Sequence, residues 1–219
     1  MEKITKIVGL IFDLDGVIVH TDMYHYKAWK KLADRLNIFF DDQINNRLRG
    51  VSRMESLEII LENAKTLNPS DSEKEAYATE KNETYKELLK QMTQADLSKD
   101  VAKTLYELKE RNYRLAIGSS SRNAGLILDK IGLSDFFDAV SDGNNITNSK
   151  PDPEVFLKAA EYLGLKAEEC IVIEDADAGV EAAHRAGMKA IAMGDAVLHN
   201  NGDWNIKNFN EILDILKQL

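Results

Sequence analysis

Apolar positions alternate between two patterns along the chain. Short, nearly continuous runs occur at 7–12, 113–118, 138–141, 170–174 and 189–193, and apolar residues recur at helical spacing over 98–111, 122–131, 153–164 and 176–186, with a last helix near 208–217. A run such as Ile7-Val8-Gly9-Leu10-Ile11-Phe12, without polar alternation, predicts a strand covered on both faces. Strands alternating with amphipathic helices predict an α/β fold with a Rossmann-like, doubly wound, mostly parallel sheet. The interval from about 21 to 92 differs. It holds only helical patterns, at 22–36, 41–49, 53–66 and 70–92. This predicts an all-helical cap inserted at the carboxyl edge of the sheet: core 1–20 and 93–219, cap 21–92, with linkers near 18–21 and 92–96 placed to act as a hinge.

Composition narrows the function. A hydrophobic content of 44% in 219 residues supports a buried core, and a net charge of −9 argues against nucleic-acid or anionic-membrane surfaces. An anionic substrate must then be drawn in by local Lys, Arg or metal. The single Cys170 precedes Ile171-Val172-Ile173 and reads as strand packing. The first residues lack a long apolar stretch with a small-residue cleavage site, and no run approaches membrane-spanning length. The expectation is a soluble, cytoplasmic monomer.

Candidate chemistry begins where the first run stops, at Asp13-Leu14-Asp15-Gly16. In open α/β sheets ligands bind beyond the carboxyl ends of the strands. Two carboxylates there can divide labour, one attacking phosphorus and the other holding a proton; the alternative is a plain Asp/Gly turn. After the second run, Ser119-Ser120-Ser121-Arg122-Asn123 suits either a phosphate cradle at a helix start or simple helix capping. Ser149-Lys150-Pro151-Asp152-Pro153 sets a stiff loop and leaves Lys150 at the sheet edge, to neutralise Asp13 and a phosphoryl group or to remain a surface lysine. Glu174 and Asp175 end the fourth run and suit Mg²⁺, a hard cation preferring carboxylate and water oxygens, or merely complement the next helix, the role that suits Asp177 better.

Together these segments resemble the haloacid dehalogenase-like phosphotransferases, whose four motifs match Asp13-x-Asp15-Gly-Val, Ser119, Lys150 and Glu174-Asp175 in order. The resemblance implies Asp13 as the nucleophile that becomes an aspartyl phosphate and Asp15 as general acid/base. Ser119 and Lys150 would hold phosphoryl oxygens. Mg²⁺ would be held by Asp13, the backbone carbonyl of Asp15, Asp175 and Glu174.

The cap bears on the reaction type. A phosphatase needs one phosphate site, whereas a mutase working through a bisphosphate needs two. In Arg47-Leu48-Arg49-Gly50-Val51-Ser52-Arg53-Met54-Glu55, Gly50 permits close backbone approach, Ser52 can cap the next helix, and Arg53 can fork onto a phosphate or pair with Glu55. Thr21, His25 and Trp29 share a helix face at i, i+4 spacing. Trp29 can wall a sugar or serve as core, and His25 can hydrogen-bond near Asp15 or be structural. Lys81 can reach a sugar hydroxyl or face solvent. His20, His184 and His199 attract no catalytic reading. Within the family, cap and core resemble the β-phosphoglucomutase subfamily through Thr21–Lys30, Gly50–Arg53, Ser119–Asn123 and Ser149-Lys150-Pro151. This implies sugar-phosphate partners, β-glucose 1,6-bisphosphate as intermediate, Thr21 in the hinge, and His25 in support of acid/base chemistry. It also implies Arg53 on the non-transferring phosphate, and Gly50, Val51, Ser52, Ser121, Arg122 and Asn123 along the substrate. Arg49 and Arg122 stand where the subfamily has lysine. Arginine's fork is not interchangeable with an ammonium.

Overall fold

The computed structural model describes residues 6–48, 51–64 and 67–219. β1 (Gly9–Phe12) leads into α1 (Asp22–Arg35), α2 (Asp42–Asn46), α3 (Arg53–Leu61) and α4 (Asp71–Leu89). α5 (Lys99–Glu110), β2 (Arg114–Gly118), α6 (Ala124–Lys130), β3 (Ala139–Ser141), α7 (Glu154–Leu163), β4 (Cys170–Glu174), α8 (Asp177–Arg185), β5 (Lys189–Ala192), β6 (Trp204–Asn205) and α9 (Ile212–Leu216) follow. The strands form one parallel sheet in the order β3-β2-β1-β4-β5-β6.

The strand runs are continuous because the sheet is covered twice. Leu10, Phe12, Leu115, Ile117, Ile171 and Ile173 pack with Leu105 and Leu108 of α5, Ile127 of α6 and Ile212 of α9. Ile11, Ala116, Cys170 and Val172 face the opposite way, onto Val155, Phe156 and Ala159 of α7 and Val180 and Ala183 of α8. Consecutive residues point to opposite faces of a strand, so both sets must be apolar. Cys170 is accordingly buried, and burial pushes its thiol up to about 12.

The inserted helices carry a core of their own, in which Trp29, Leu32 and Ala33 of α1 meet Leu57 and Ile60 of α3 and Ala78 of α4. Ser52 and Ser70 start α3 and α4 with reciprocal capping boxes to Glu55 and Glu73. Several helix ends differ from the sequence pattern. α2 stops at Asn46 and α3 at Leu61, and the last helix is split into a 3₁₀ turn, Phe209–Glu211, before α9. β6 was not expected. Its two residues are too short for a periodic signal and exist through pairing with Ile191 and Ala192. No helix among the described residues is long and apolar enough to cross a membrane.

Candidate active site

β1 delivers Asp13 to the carboxyl edge, where its N–H continues the ladder onto the Ile173 carbonyl at 2.9 Å. The Asp13 carboxylate accepts from Lys150 Nζ, which also donates to Glu174 Oε2 at 2.9 Å. Lys150 is only 3% exposed and lies 4.8 Å from the centre of the Phe156 ring. Burial alone would lower its pKa; attraction to Asp13 and Glu174 outweighs that and holds the ammonium charged. Lys150 is thus a buried counter-ion, and the surface alternative is removed.

Asp13, Glu174 and Asp175 each turn a carboxylate oxygen to one point, the three lying within 4.8 Å of one another. Glycines make the room. A Cβ on Gly16, which sits at φ +88°, would collide with the Asp175 carboxylate, and one on Gly179 with that of Glu174. Burial, then mutual repulsion, raises the pKa of Asp175, and burial raises that of Glu174. Crowded hard oxygen donors of this kind fit Mg²⁺. The Asp15 carboxylate is outside this trio. It accepts the Thr21 hydroxyl, which explains why Thr21, at the N-cap of α1, makes no side-chain cap. Burial, followed by the charge of Asp13, raises Asp15 to about 7, so it can give or take a proton near neutrality.

The serine run forms a ladder of its own after β2. Ser119 Oγ accepts from the Ser121 N–H at 3.1 Å, and Ser121 Oγ from the Asn123 N–H at 3.2 Å. Ser119 N–H donates to the Ser141 carbonyl, tying this turn to β3. Asn123 occupies the N-cap of α6 without capping it; its amide donates to Asn82 Oδ1 of α4 at 2.9 Å. Neither partner of that buried bond was apparent as a pair from sequence. Ser120 was also missed: its hydroxyl is buried and without a hydrogen-bond partner among the described residues.

From the cap side, Lys81 enters on α4 and is 3% exposed, so the solvent-facing alternative fails. Its ammonium lies 2.8 Å from His25 Nδ1 and 4.7 Å from the ring centres of Trp29 and Tyr85. Burial, with Arg53 nearby, lowers Lys81 to about 7, and burial holds His25 well below the usual imidazole range. His25 is neutral, with Nδ1 placed to accept from Lys81. Arg53 does not pair with Glu55, whose carboxylate receives the Ser52 N–H. Its pKa is lowered by burial and then by Arg122 across the cleft. Arg49 and Gly50 lie outside the described residues.

These groups share one cavity of about 680 Å³. Asp13, Asp15, Ser119, Lys150, Glu174 and Asp175 line one part; His25, Trp29, Val51, Ser52, Arg53 and Lys81 line the cap side; Ser120, Ser121, Arg122 and Asn123 also border it. Thr21, fully buried, acts behind Asp15 rather than on the wall.

Residues 10–193 match the haloacid dehalogenase-like hydrolase family. The chain belongs to that family. A β-phosphoglucomutase of Bacillus subtilis is 38% identical, with 93% of this chain and 94% of the relative covered. A fructose-1-phosphate phosphatase of Escherichia coli is 34% identical over 85% of this chain and 96% of the relative. The crystal structure of a β-phosphoglucomutase from Clostridium difficile superposes with a TM-score of 0.90 at 37% identity, covering 97% of this chain and 98% of that one. This haloacid dehalogenase-like enzyme therefore has relatives of both mutase and phosphatase type. Asn82 shows what the sequence could have offered on the cap side. It shares with Lys81 the buried stripe Ala78, Lys81/Asn82, Tyr85, Leu89 on an otherwise charged helix, and polar residues on such a stripe need partners.

Proposed function

We propose that this enzyme is a β-phosphoglucomutase, interconverting β-D-glucose 1-phosphate and D-glucose 6-phosphate, with residues 21–92 as the cap. The observation that carries the reading is the placement of cations at two separate parts of one cavity: Lys150 on Asp13, and Arg53 with Arg122 across the cleft. A single phosphate needs the first set only. Phosphoryl transfer relies mainly on positioning and charge neutralisation. Phospho-Asp13 donates to the substrate, and the phosphorus–oxygen bond to Asp13 breaks as the sugar oxygen bonds. Asp15 takes the proton of that hydroxyl, giving β-glucose 1,6-bisphosphate. The bisphosphate turns over, Arg53 takes the phosphate just transferred, and the other phosphoryl group returns to Asp13 as its bond to the sugar oxygen breaks and protonated Asp15 gives its proton to that leaving oxygen. Lys150 and Ser119 hold the phosphoryl oxygens, and Thr21 orients Asp15. His25, pinned by Lys81, steadies the neighbouring cap face, while Trp29, Val51, Ser52, Ser121 and Asn123 shape the sugar site. Mg²⁺, bound by Asp13, Glu174, Asp175 and the Asp15 carbonyl, would add neutralisation of phosphoryl charge.

A capped sugar-phosphate phosphatase is the second reading, favoured by the Escherichia coli relative. The two separate by product. β- and α-glucose 1-phosphate are supplied in turn with Mg²⁺ and a trace of glucose 1,6-bisphosphate, and glucose 6-phosphate and free phosphate are followed together. Rapid, β-selective isomerisation with little phosphate release is expected. Phosphate release without isomerisation would make the enzyme a phosphatase.

A further inference from the structure

Arg122 is held by a loop that the reaction as described does not use. Its Nε donates to the Gly143 carbonyl at 3.1 Å, while Asn144 Nδ2 donates back to the Arg122 carbonyl at 3.0 Å. The Gly143 N–H donates to the Ser121 carbonyl at 3.1 Å, closing the clasp. Within the loop, Asn144 N and Nδ2 both donate to the Asp142 carboxylate, at 2.8 and 3.1 Å. Asn145 Oδ1 accepts from the Asp142 N–H and the Ser141 hydroxyl, and Lys158 of α7 anchors the Asn145 carbonyl. The fit admits no side chain at Gly143. A Cβ there would lie 2.5 Å from the Ser120 carbonyl oxygen and 2.9 Å from Arg122 Cγ.

We infer that residues 142–145 are a positioning element that aims Arg122, through its Nε, at the phosphate distant from Asp13. The inference rests on the phosphosugar reading above. An unrestrained arginine loses rotamer entropy when it grips a ligand. Binding Nε to a carbonyl settles part of that ordering in advance and leaves the two Nη groups for the cavity, which Arg122 lines at its exposed rim. Among the described residues no carboxylate lies within ion-pair distance of Arg122 or Arg53, and the more distant charge of Glu83 acts on Arg53 less than Arg122 does. A lysine could not use this loop. Its donors sit on one terminal nitrogen, with none along the stem to occupy the Gly143 carbonyl while the head binds phosphate.

The test compares Asn144→Ala and Gly143→Ala with Arg122 intact and in an Arg122→Lys background. KM and kcat are measured for β-glucose 1-phosphate, whichever product forms, beside hydrolysis of p-nitrophenyl phosphate, whose single phosphate reacts at Asp13 and leaves none for the distant site. With Arg122 present, each loop variant should raise the sugar-phosphate KM about three- to tenfold, the loss of one modest to charge-assisted hydrogen bond. Asn144→Ala should leave aryl-phosphate hydrolysis within about twofold, and the KM effect should vanish with Lys at 122, as coupled residues are non-additive. Equal KM effects in both backgrounds, or matching losses on the aryl phosphate, would overturn the inference. Should Gly143→Ala fail to fold, Asn144→Ala decides. Phosphate as the sole product would sink the mutase reading but leave the KM comparison valid, and absence of any phosphosugar turnover would sink both.

Discussion

Arg53 and Lys81 lie on the same side of the cavity, but their surroundings assign them different work. Arg53 is half-buried with no ion pair among the described residues, whereas Lys81 is enclosed by His25, Trp29 and Tyr85. Arg53→Ala is therefore expected to lower kcat/KM for glucose phosphates by about 10- to 100-fold, the loss of charge-assisted bonds to phosphate. Hydrolysis of a small aryl phosphate should change far less, and equal losses would remove the second phosphate site. Lys81 gives a pH signature. Its folded pKa, about 7, is below its unfolded value of 10.5. Between those values the unfolded chain binds the extra proton, so this residue makes stability rise with pH. Asp15, raised to about 7 from 3.8, acts in the opposite direction between those lower values, where the folded state holds the proton. Lys81→Met should flatten the stability profile from about pH 7 to 10.5 relative to the parent and raise the melting temperature at pH 7. Parallel profiles would place a charged, solvated ammonium at position 81.

At the scale of the element, α7 joins fold and chemistry. Its Phe156 packs against β2 so closely that a Cβ on Gly118 would lie 2.6 Å from the ring and 3.0 Å from Ile11 Cγ2. The same ring lies beneath the Lys150 ammonium. Gly118→Ala should cost about 1–3 kcal/mol in urea unfolding, as overpacking of a filled core does. Displacement of Phe156 should also move Lys150, so kcat should fall for the aryl phosphate as well as the sugar phosphate. Unchanged turnover in the destabilised variant would show that Lys150 is placed by its carboxylates alone. The inserted helices obey a different rule. α4 is charged along most of its length, and its buried stripe includes Lys81 and Asn82, so its packing against α1 places a site as well as a core.

At the scale of the whole molecule, a net charge of −9 opposes an anionic substrate, and within the cavity Lys150, Arg53 and Arg122 supply positive charge among its carboxylates. The acidic trio of Asp13, Glu174 and Asp175 offers donors for a cation. Mg²⁺ should raise the melting temperature by about 5–10 °C at a hundredfold excess over its Kd, by mass action on the folded state. Chelation should abolish turnover and leave the circular dichroism unchanged. Asp175→Asn should lose the thermal shift, and a shift that persists would move the metal away from this trio.

The parallel sheet, its double cover and the inserted helices were legible because each is a local pattern. A strand buried on both faces is continuously apolar, as 170–174 is, and an amphipathic helix repeats its apolar positions. Asp13, Ser119, Lys150 and Glu174 were legible because each stands next to a strand end or a proline-marked helix start, which a parallel sheet gathers at its carboxyl edge, although the strand order β3-β2-β1-β4 there is not the order of the motifs along the chain. Tertiary structure alone decided what those residues touch. The Thr21 hydroxyl turns to Asp15 and not to its helix, Asn123 reaches across to Asn82, and Lys81 is driven inward onto His25. These choices depend on partners 6, 41 and 56 positions away in the chain, and the burial and charge that bring Asp15 and Lys81 to about 7 arise only once those partners close around them. Periodicity assigns a residue to a face; the element packed against that face determines whether it is core, counter-ion or acid.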